Sequence, residues 1–309
     1  MRKGPVMRAI FVDANPTLAE VAERLHRADD IPVQVNRNPN VKPAELPALL
    51  GDAEIAIIDH THLPTDIAKQ CKGLKHVVFL GTGARSYMNP EELAELGIEV
   101  HIIKGYGDTA VAEMAFALMW AAAKGLTFMD RGIRAGRWDR TDGVELTGKT
   151  VGLIGYGGIG AEMARLCRGA GMRVLAWNRT KRDAEGVTFV DLDTLLAESH
   201  VVSLHLLLND ETRGFLSADK IAKMRKGAIF INTARGAITD EAALAKAVES
   251  GALRQIGLDV FAEEPLPAGH FLSKVENSTL AAHSAFRTPE ASDNLIEAAL
   301  NHCRRISRA

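Results

Sequence analysis

Near the middle of the chain an apolar run closes on glycines: Val151-Gly152-Leu153-Ile154-Gly155-Tyr156-Gly157-Gly158-Ile159-Gly160. The order G-x-G-x-x-G runs straight into Ala161-Glu162-Met163-Ala164-Arg165-Leu166, which reads as the start of a helix. A buried strand, a tight turn and a helix account for that succession. Glycines let the turn approach a ligand closely, and the first N–H groups of the helix then face an anion such as a pyrophosphate. Gly155, Tyr156, Gly157, Gly158, Ile159 and Gly160 are therefore the expected phosphate loop of a dinucleotide site. A glycine-rich turn in some other α/β protein is the plainer alternative.

With 309 residues, of which 47% are hydrophobic, the chain has material for two domains. Short β-rich runs at 9–12, 53–58, 76–80 and 99–103 alternate with helical patterns such as Leu18 to Arg27. This predicts a small parallel sheet covered by helices. A helix over 109–123 is apolar nearly all round and should be buried. Strands at 150–154, 173–177, 201–204, 228–232 and 255–259 follow, with Asp240 as the N-cap of a helix over 240–250. That spacing predicts a doubly wound sheet. A final helix over 289–305 is expected to cross back to the first unit. The fold class expected is α/β, with two Rossmann-like domains and parallel sheets. The boundaries expected are 1–103 plus 289–309 for a substrate domain and 104–288 for a dinucleotide-binding domain.

A formal net charge of -2 gives no reason to expect a nucleic acid or membrane partner. Cys71, Cys167 and Cys303 have neither metal-ligand nor redox-pair spacing. No metal is expected, and a cytoplasmic setting suits three such cysteines. Met1-Arg2-Lys3-Gly4-Pro5 is basic, but the apolar run after it is too short for a signal peptide. The longest apolar stretch, Met114 to Ala123, ends at Lys124, well short of the ~20 residues that span a bilayer.

Cofactor choice is read at the tip of the second strand after the glycines, where an acid commonly takes the ribose hydroxyls. Here Val174-Leu175-Ala176-Trp177 is followed by Asn178-Arg179-Thr180-Lys181-Arg182. Asn178 carries no charge to repel a 2′-phosphate, and the guanidinium fork of Arg179 can clamp one. Lys181 and Arg182 add positive field, which Asp183 and Glu185 partly cancel. NADP(H) is favoured over NAD(H). The alternative is that Arg179 stacks on the adenine or points to water, with NAD(H) as the cofactor.

Three segments carry groups suited to chemistry. Phe230-Ile231-Asn232-Thr233-Ala234-Arg235-Gly236 ends a strand on an arginine. Gly257-Leu258-Asp259-Val260-Phe261 leads to Glu264-Pro265. Leu280-Ala281-Ala282-His283-Ser284-Ala285 sets a histidine among small apolar residues. An arginine can hold a carboxylate and polarise a carbonyl. A histidine can give or take the hydroxyl proton, and a carboxylate beside it favours the imidazolium. Each has a bland alternative: Arg235 as a surface pair partner, Glu264 as a solvated loop acid, His283 as a structural histidine.

In these stretches the chain resembles the D-isomer-specific 2-hydroxyacid dehydrogenases. Glu211-Thr212-Arg213-Gly214 before Lys226-Gly227-Ala228, and Val111-Ala112-Glu113 in the long helix, fit as well. The likeness covers most of 105–290, while the first hundred residues match mainly in pattern. It implies an active site in an interdomain cleft, a homodimer, and a small 2-oxo or 2-hydroxy acid as substrate, with glyoxylate or hydroxypyruvate the guess. It assigns Arg235, Glu264 and His283 to catalysis, and Leu80, Gly81 and Thr82, with Arg235, to the substrate. It puts Asn178, Arg179, Thr180, His205, Thr212, Thr233, Ala234, Asp259 and His283 along the cofactor. The chain departs from the pattern in three places. Ala84-Arg85-Ser86-Tyr87 lacks the usual aspartate, so Arg85 is either structural or reaches an acidic substrate. A proline is missing near Leu207. Asp108, in Gly105-Tyr106-Gly107-Asp108, is expected to face the substrate pocket. Phe286 and Trp138 are either pocket or plain core. A dinucleotide-responsive binding protein of corepressor type, or a methyltransferase with a similar nucleotide fold, are the competing classes. The arginine, glutamate and histidine together argue against both.

Overall fold

The computed structural model describes residues 7–180 and 182–308. The expectations placed on Met1-Arg2-Lys3-Gly4-Pro5 and on Lys181 lie outside them. The chain divides into two compact units. One runs from the N-terminus to Gly107 and resumes at Thr288, and the other is Asp108–Arg287.

The first unit holds five strands: β1 Ala9–Phe11, β2 Val33–Val35, β3 Ile55–Ile58, β4 His76–Phe79 and β5 Glu99–Ile102. All pair parallel, in the order β2-β1-β3-β4-β5. The period of two explains why the runs are continuously apolar. Ala9 and Phe11 enter one core while Ile10 and Val12 enter the other, and Ile55 and Ile57 part from Ala56 and Ile58 in the same way. A sheet buried on both faces needs apolar residues at every position. The helix Pro289–Ile306 returns from the chain's end and supplies Leu295, Ile296 and Leu300 to the first of these cores. Thr288 caps it, accepting from the Ala291 N–H at 3.1 Å, with Pro289 in the first turn. Near its end, Arg304 grips Asp30 through one guanidinium edge, Nε and Nη2 donating to the two carboxylate oxygens at 2.6 and 2.9 Å. The pair is nearly buried, and the guanidinium holds the Asp30 carboxyl down at about 2.

The second unit holds seven parallel strands: β6 Thr150–Ile154, β7 Arg173–Trp177, β8 Thr188–Phe189, β9 Val201–Leu204, β10 Ala228–Asn232, β11 Leu253–Leu258 and β12 Ser278–Leu280. Their order is β12-β11-β10-β9-β6-β7-β8. The chain winds outward from β6 to β8, then returns beside β6 and winds the other way. That reversal between β6 and β9 is the switch point at which such sheets open a ligand crevice. The helix Asp108–Lys124 buries Ala112, Ala115, Leu118, Met119, Ala122 and Ala123. It lies so close to β11 that a Cβ on Gly257 would come within 3.1 Å of the Leu118 Cβ.

β2, β8 and β12 are the strands that periodicity does not reveal. Each has three residues or fewer and sits at a sheet edge. Such strands take their conformation from a neighbour's ladder more than from their own side chains. Among the described residues no single helix is long and apolar enough to cross a membrane.

Candidate active site

Register places the sequence candidates of the second unit along one edge. Trp177, Ile154, Leu204, Asn232, Leu258 and Leu280 align across six neighbouring strands. The residues one step beyond them are Asn178, Gly155, His205, Thr233, Asp259 and Ala281. In a parallel sheet all strand ends of one kind fall on the same side, so short loops there deliver side chains to one crevice.

The glycines match two steric demands. Gly155 has φ +100°, and a Cβ on it would lie 2.5 Å from the His205 carbonyl oxygen. A Cβ on Gly160 would lie 2.5 Å from the carbonyl oxygen of Gly155. Beside Gly157 there is open space, and the helix Gly158–Gly169 starts at the next residue. Asn178 braces this loop. Its Oδ1 accepts from the Tyr156 N–H at 3.1 Å and its amide donates to the Thr180 carbonyl at 2.8 Å. Arg179 is paired with Glu211, both side chains largely exposed. The Thr212 hydroxyl donates to the Leu207 carbonyl at 2.7 Å, closing the 207–212 loop on itself. His205 Nε2 meets Ser203 Oγ at 2.9 Å, and burial pushes this histidine down to about 4, so it is neutral at physiological pH. Thr233 is buried and its Oγ1 has no partner among the described residues. A stranded hydroxyl on the same sheet edge as an open glycine loop suits a polar ligand that arrives from outside the chain, and a dinucleotide fits.

Asp108 lies at this loop. A Cβ on Gly158 would sit 1.7 Å from the Asp108 Oδ2, so the carboxyl packs against the glycine loop, whereas the expectation from the sequence has it facing the substrate. Burial raises its pKa, and the charge of Glu162 adds to the rise.

At the other end of the row, Asn232 shapes the turn that presents Arg235. Its Oδ1 accepts from the Ala234 N–H at 2.9 Å and its amide donates to the Arg235 carbonyl at 3.1 Å. The Arg235 side chain is exposed and donates to the Ala234 carbonyl at 2.6 Å. Among the described residues no carboxylate pairs with it, which disposes of the surface-pair alternative. Gly236 lets this turn lie on the loop carrying Glu264, since a Cβ there would meet the Phe261 carbonyl carbon at 2.0 Å.

His283 Nδ1 and Glu264 Oε2 are 2.5 Å apart. The other carboxylate oxygen accepts from the Phe261 N–H at 2.8 Å. A carboxylate only accepts, so Nδ1 carries the hydrogen and Nε2 is left for proton exchange. Both side chains are about a third exposed, which suits groups that must meet a substrate. The His283 backbone is left-handed, with φ 48°, a costly state for a residue with a Cβ. Asp259 holds it there. This fully buried carboxylate accepts from the N–H groups of Ser284 at 3.0 Å and Ala285 at 2.9 Å, while its carbonyl accepts from the His283 N–H at 2.7 Å. The family resemblance puts Asp259 along the cofactor, and the residues give no sign of this second task. Nor did they mark Glu241, whose Oε1 accepts from the Ala262 N–H at 2.7 Å and steadies the Glu264 loop. Phe286 meets the His283 ring edge-on, with centroids 6.3 Å apart. Trp138 is 79% exposed and belongs to no core.

In the first unit, Leu80, Gly81 and Thr82 follow β4. The Leu80 N–H donates to the Ile58 carbonyl and that of Gly81 to the Phe79 carbonyl. The N–H groups of Thr82 and Gly83 have no acceptor among the described residues. They, more than Leu80, are the donors this loop can offer. Arg85 forms a two-pronged pair with Glu91 on the surface, the structural alternative of the two expected.

Residues 116–285 match the family model of the D-isomer specific 2-hydroxyacid dehydrogenase NAD binding domain. Over 254 residues the chain is 36% identical to a hydroxypyruvate reductase of Thermotoga maritima, covering 80% of this chain and 82% of that one. Over 247 residues it is 37% identical to a D-3-phosphoglycerate dehydrogenase of Archaeoglobus fulgidus. That alignment takes in 78% of this chain and 47% of the relative, so the chain spans about half the length of that protein. A glyoxylate reductase from Paecilomyes thermophila shares the fold at a TM-score of 0.86 and 29% identity, over 98% of this chain and 96% of that structure.

Proposed function

The chain belongs to the D-isomer specific 2-hydroxyacid dehydrogenases, and from that premise we propose that it reduces glyoxylate or hydroxypyruvate, with NADP(H) favoured over NAD(H). At the coarser level it is an NAD(P)-dependent oxidoreductase acting between 2-oxo and 2-hydroxy acids. The hydroxypyruvate and glyoxylate reductases among its relatives support the narrower substrate.

The observation that carries the mechanism is the 2.5 Å contact of His283 with Glu264, on the same sheet edge as an arginine with no carboxylate partner. When bound, the reduced nicotinamide supplies a hydride. The remaining work falls to the chain. The Arg235 guanidinium takes the substrate carboxylate and draws electron density from the carbonyl. His283 Nε2 gives its proton to the carbonyl oxygen as the alcohol forms, and Glu264 holds the ring and steadies its charge. In the reverse direction, neutral His283 takes the hydroxyl proton.

The cofactor preference rests on Asn178 and Arg179. An exposed ion pair such as Arg179 with Glu211 is worth only about 0–1 kcal/mol, so a doubly charged 2′-phosphate can displace the carboxylate. Three buried free thiols support a reducing, cytoplasmic setting. Leu126, Ile133 and Trp138, large apolar side chains exposed within one stretch, support a homodimer.

The test is a panel of 2-oxo acids with each reduced coenzyme, followed by loss of nicotinamide absorbance. Glyoxylate or hydroxypyruvate should give the highest kcat/KM; another acid leading the panel overturns the substrate. His283→Ala should lower kcat by about 10²-fold or more with coenzyme affinity kept. Turnover at the parent rate would remove His283 from the mechanism. Arg179→Ala should lower the ratio of kcat/KM with NADPH to that with NADH, and an unchanged ratio would sink the phosphate clamp.

A further inference from the structure

Three side chains at the edge of the first unit's sheet converge on one point. His76 opens β4 and Glu99 opens β5, and the parallel register sets them side by side. His101, two residues beyond Glu99, lies on the same face of β5 because the strand period is two. His76 Nδ1 and His101 Nε2 are 3.2 Å apart, and Glu99 Oε2 is 3.7 Å from each. We propose that His76, Glu99 and His101 form a divalent-metal site whose ion is Zn²⁺.

Geometry carries the proposal. A triangle with those three sides has a circumscribed radius of about 2.05 Å, and Zn–N and Zn–O bonds are about 2.0–2.2 Å. An ion can thus reach all three donors with little or no movement, and sits close to their plane. The face away from the sheet then stays open for water, as in the three-ligand zinc sites built from two histidines and a glutamate. The exposures agree with this. The imidazoles are held, at 22% and 16% side-chain exposure, while Glu99 is 68% exposed and free to swing onto an arriving ion. Two imidazoles and one carboxylate make a borderline donor set, suited to Zn²⁺, Ni²⁺ and Cu²⁺ more than to Mg²⁺ or Ca²⁺. His302 of the final helix stands next to His101, with ring centroids 5.3 Å apart. Its ring nitrogens face the Arg305 guanidinium, so it borders the site without being a ligand. A bound ion would staple edge strand β5 to β4. Sequence spacing conceals the trio, because β4 and β5 are joined only through the fold.

The test uses the untagged full chain, stripped with a chelator and titrated with Co²⁺ as a coloured probe, then with Zn²⁺ in competition. The expected result is one Co²⁺ per chain with visible d–d absorption of a low-coordinate site, bleached by one equivalent of Zn²⁺. Glu99→Gln, on an exposed side chain, should weaken binding at least tenfold, and His76→Gln with His101→Gln should abolish it. Zn²⁺ should also raise the Tm of the parent chain and leave that of the double variant unchanged. Absence of Co²⁺ absorption overturns the proposal, leaving a hydrogen-bonded surface cluster. So does binding of parent strength in Glu99→Gln or in the double variant. Should the histidine variants fail to fold, Glu99→Gln decides alone.

Discussion

Asp259→Asn separates a residue that positions the proposed acid/base group, His283, from one that merely lines the cofactor site. In the parent, two N–H groups, those of Ser284 and Ala285, donate to the two carboxylate oxygens. Hydrogen bonds to a charged acceptor are worth about 1.5–3 kcal/mol each. Against them stands the left-handed His283, at φ 48°, which costs about 1–3 kcal/mol. Two bonds outweigh that strain. Asparagine keeps one acceptor, weakened to about 1 kcal/mol, and turns an amide NH₂ toward the other N–H, so the loss is roughly 2–5 kcal/mol. The strain is then no longer covered. The turn should relax, Nδ1 should leave Glu264, and kcat should fall at least tenfold, since about 1.4 kcal/mol of lost positioning suffices for that. Urea unfolding gives the stability, steady-state reduction of hydroxypyruvate gives kcat, and quenching of protein fluorescence gives coenzyme affinity. Expected are a lower midpoint, a lower kcat and an unchanged coenzyme Kd. An asparagine variant of parent stability and parent kcat would refute the reasoning. A variant that loses coenzyme affinity alone would show that Asp259 serves the ligand and not the turn.

Three further expectations follow from other parts of the molecule. Arg304→Met should cost about 3–5 kcal/mol, because it leaves the Asp30 carboxylate buried without its partner; adding Asp30→Asn should recover most of that in urea unfolding, and a double variant as weak as the sum of the singles would contradict the pairing. His60 bonds to Asp59, lies near the Asp13 charge and is raised to about 9, so it stabilises the fold fully below about pH 6.5 and loses that contribution as pH rises through about 9. Its side chain is 43% exposed, which trims the effect to on the order of 1 kcal/mol; His60→Gln should be weaker than the parent at pH 6 and equal to it at pH 10, and a pH-independent difference would discard the assignment. Gly236→Ala would drive a Cβ into the backbone of Phe261 and Ala262, at 2.0 and 2.3 Å, so it should cost about 1–3 kcal/mol and depress kcat together with stability; a variant of parent kcat would show that the Arg235 and Glu264 loops move independently.

What the sequence makes legible follows from how far each signal reaches along the chain. Gly155 and Gly160 declare themselves because their constraint is local: the turn, the strand before it and the helix after it are contiguous. Arg235, Glu264 and His283 are legible because each lies a few residues beyond an apolar run, and the ends of parallel strands share one side of a sheet. Their company therefore comes from topology, and no contact needs to be foreseen. Asp259 shows the limit. Its place at a strand end is visible, but its task depends on the backbone angle of a residue in another loop, and a histidine gives no outward sign of a positive φ. Arg179 is legible only in part, for a related reason. Its suitability for a phosphate is evident from the guanidinium, yet the acid it pairs with, Glu211, comes from the loop after β9, on the strand beyond β6. The His76, Glu99 and His101 trio is the extreme case, since only the pairing of β4 with β5 gives the three residues a common face. Chemistry fixed by neighbours in the chain can be read from the chain. Chemistry fixed by register needs the sheet, and the edges of these two sheets hold both the positioning carboxylate and the metal-sized triangle.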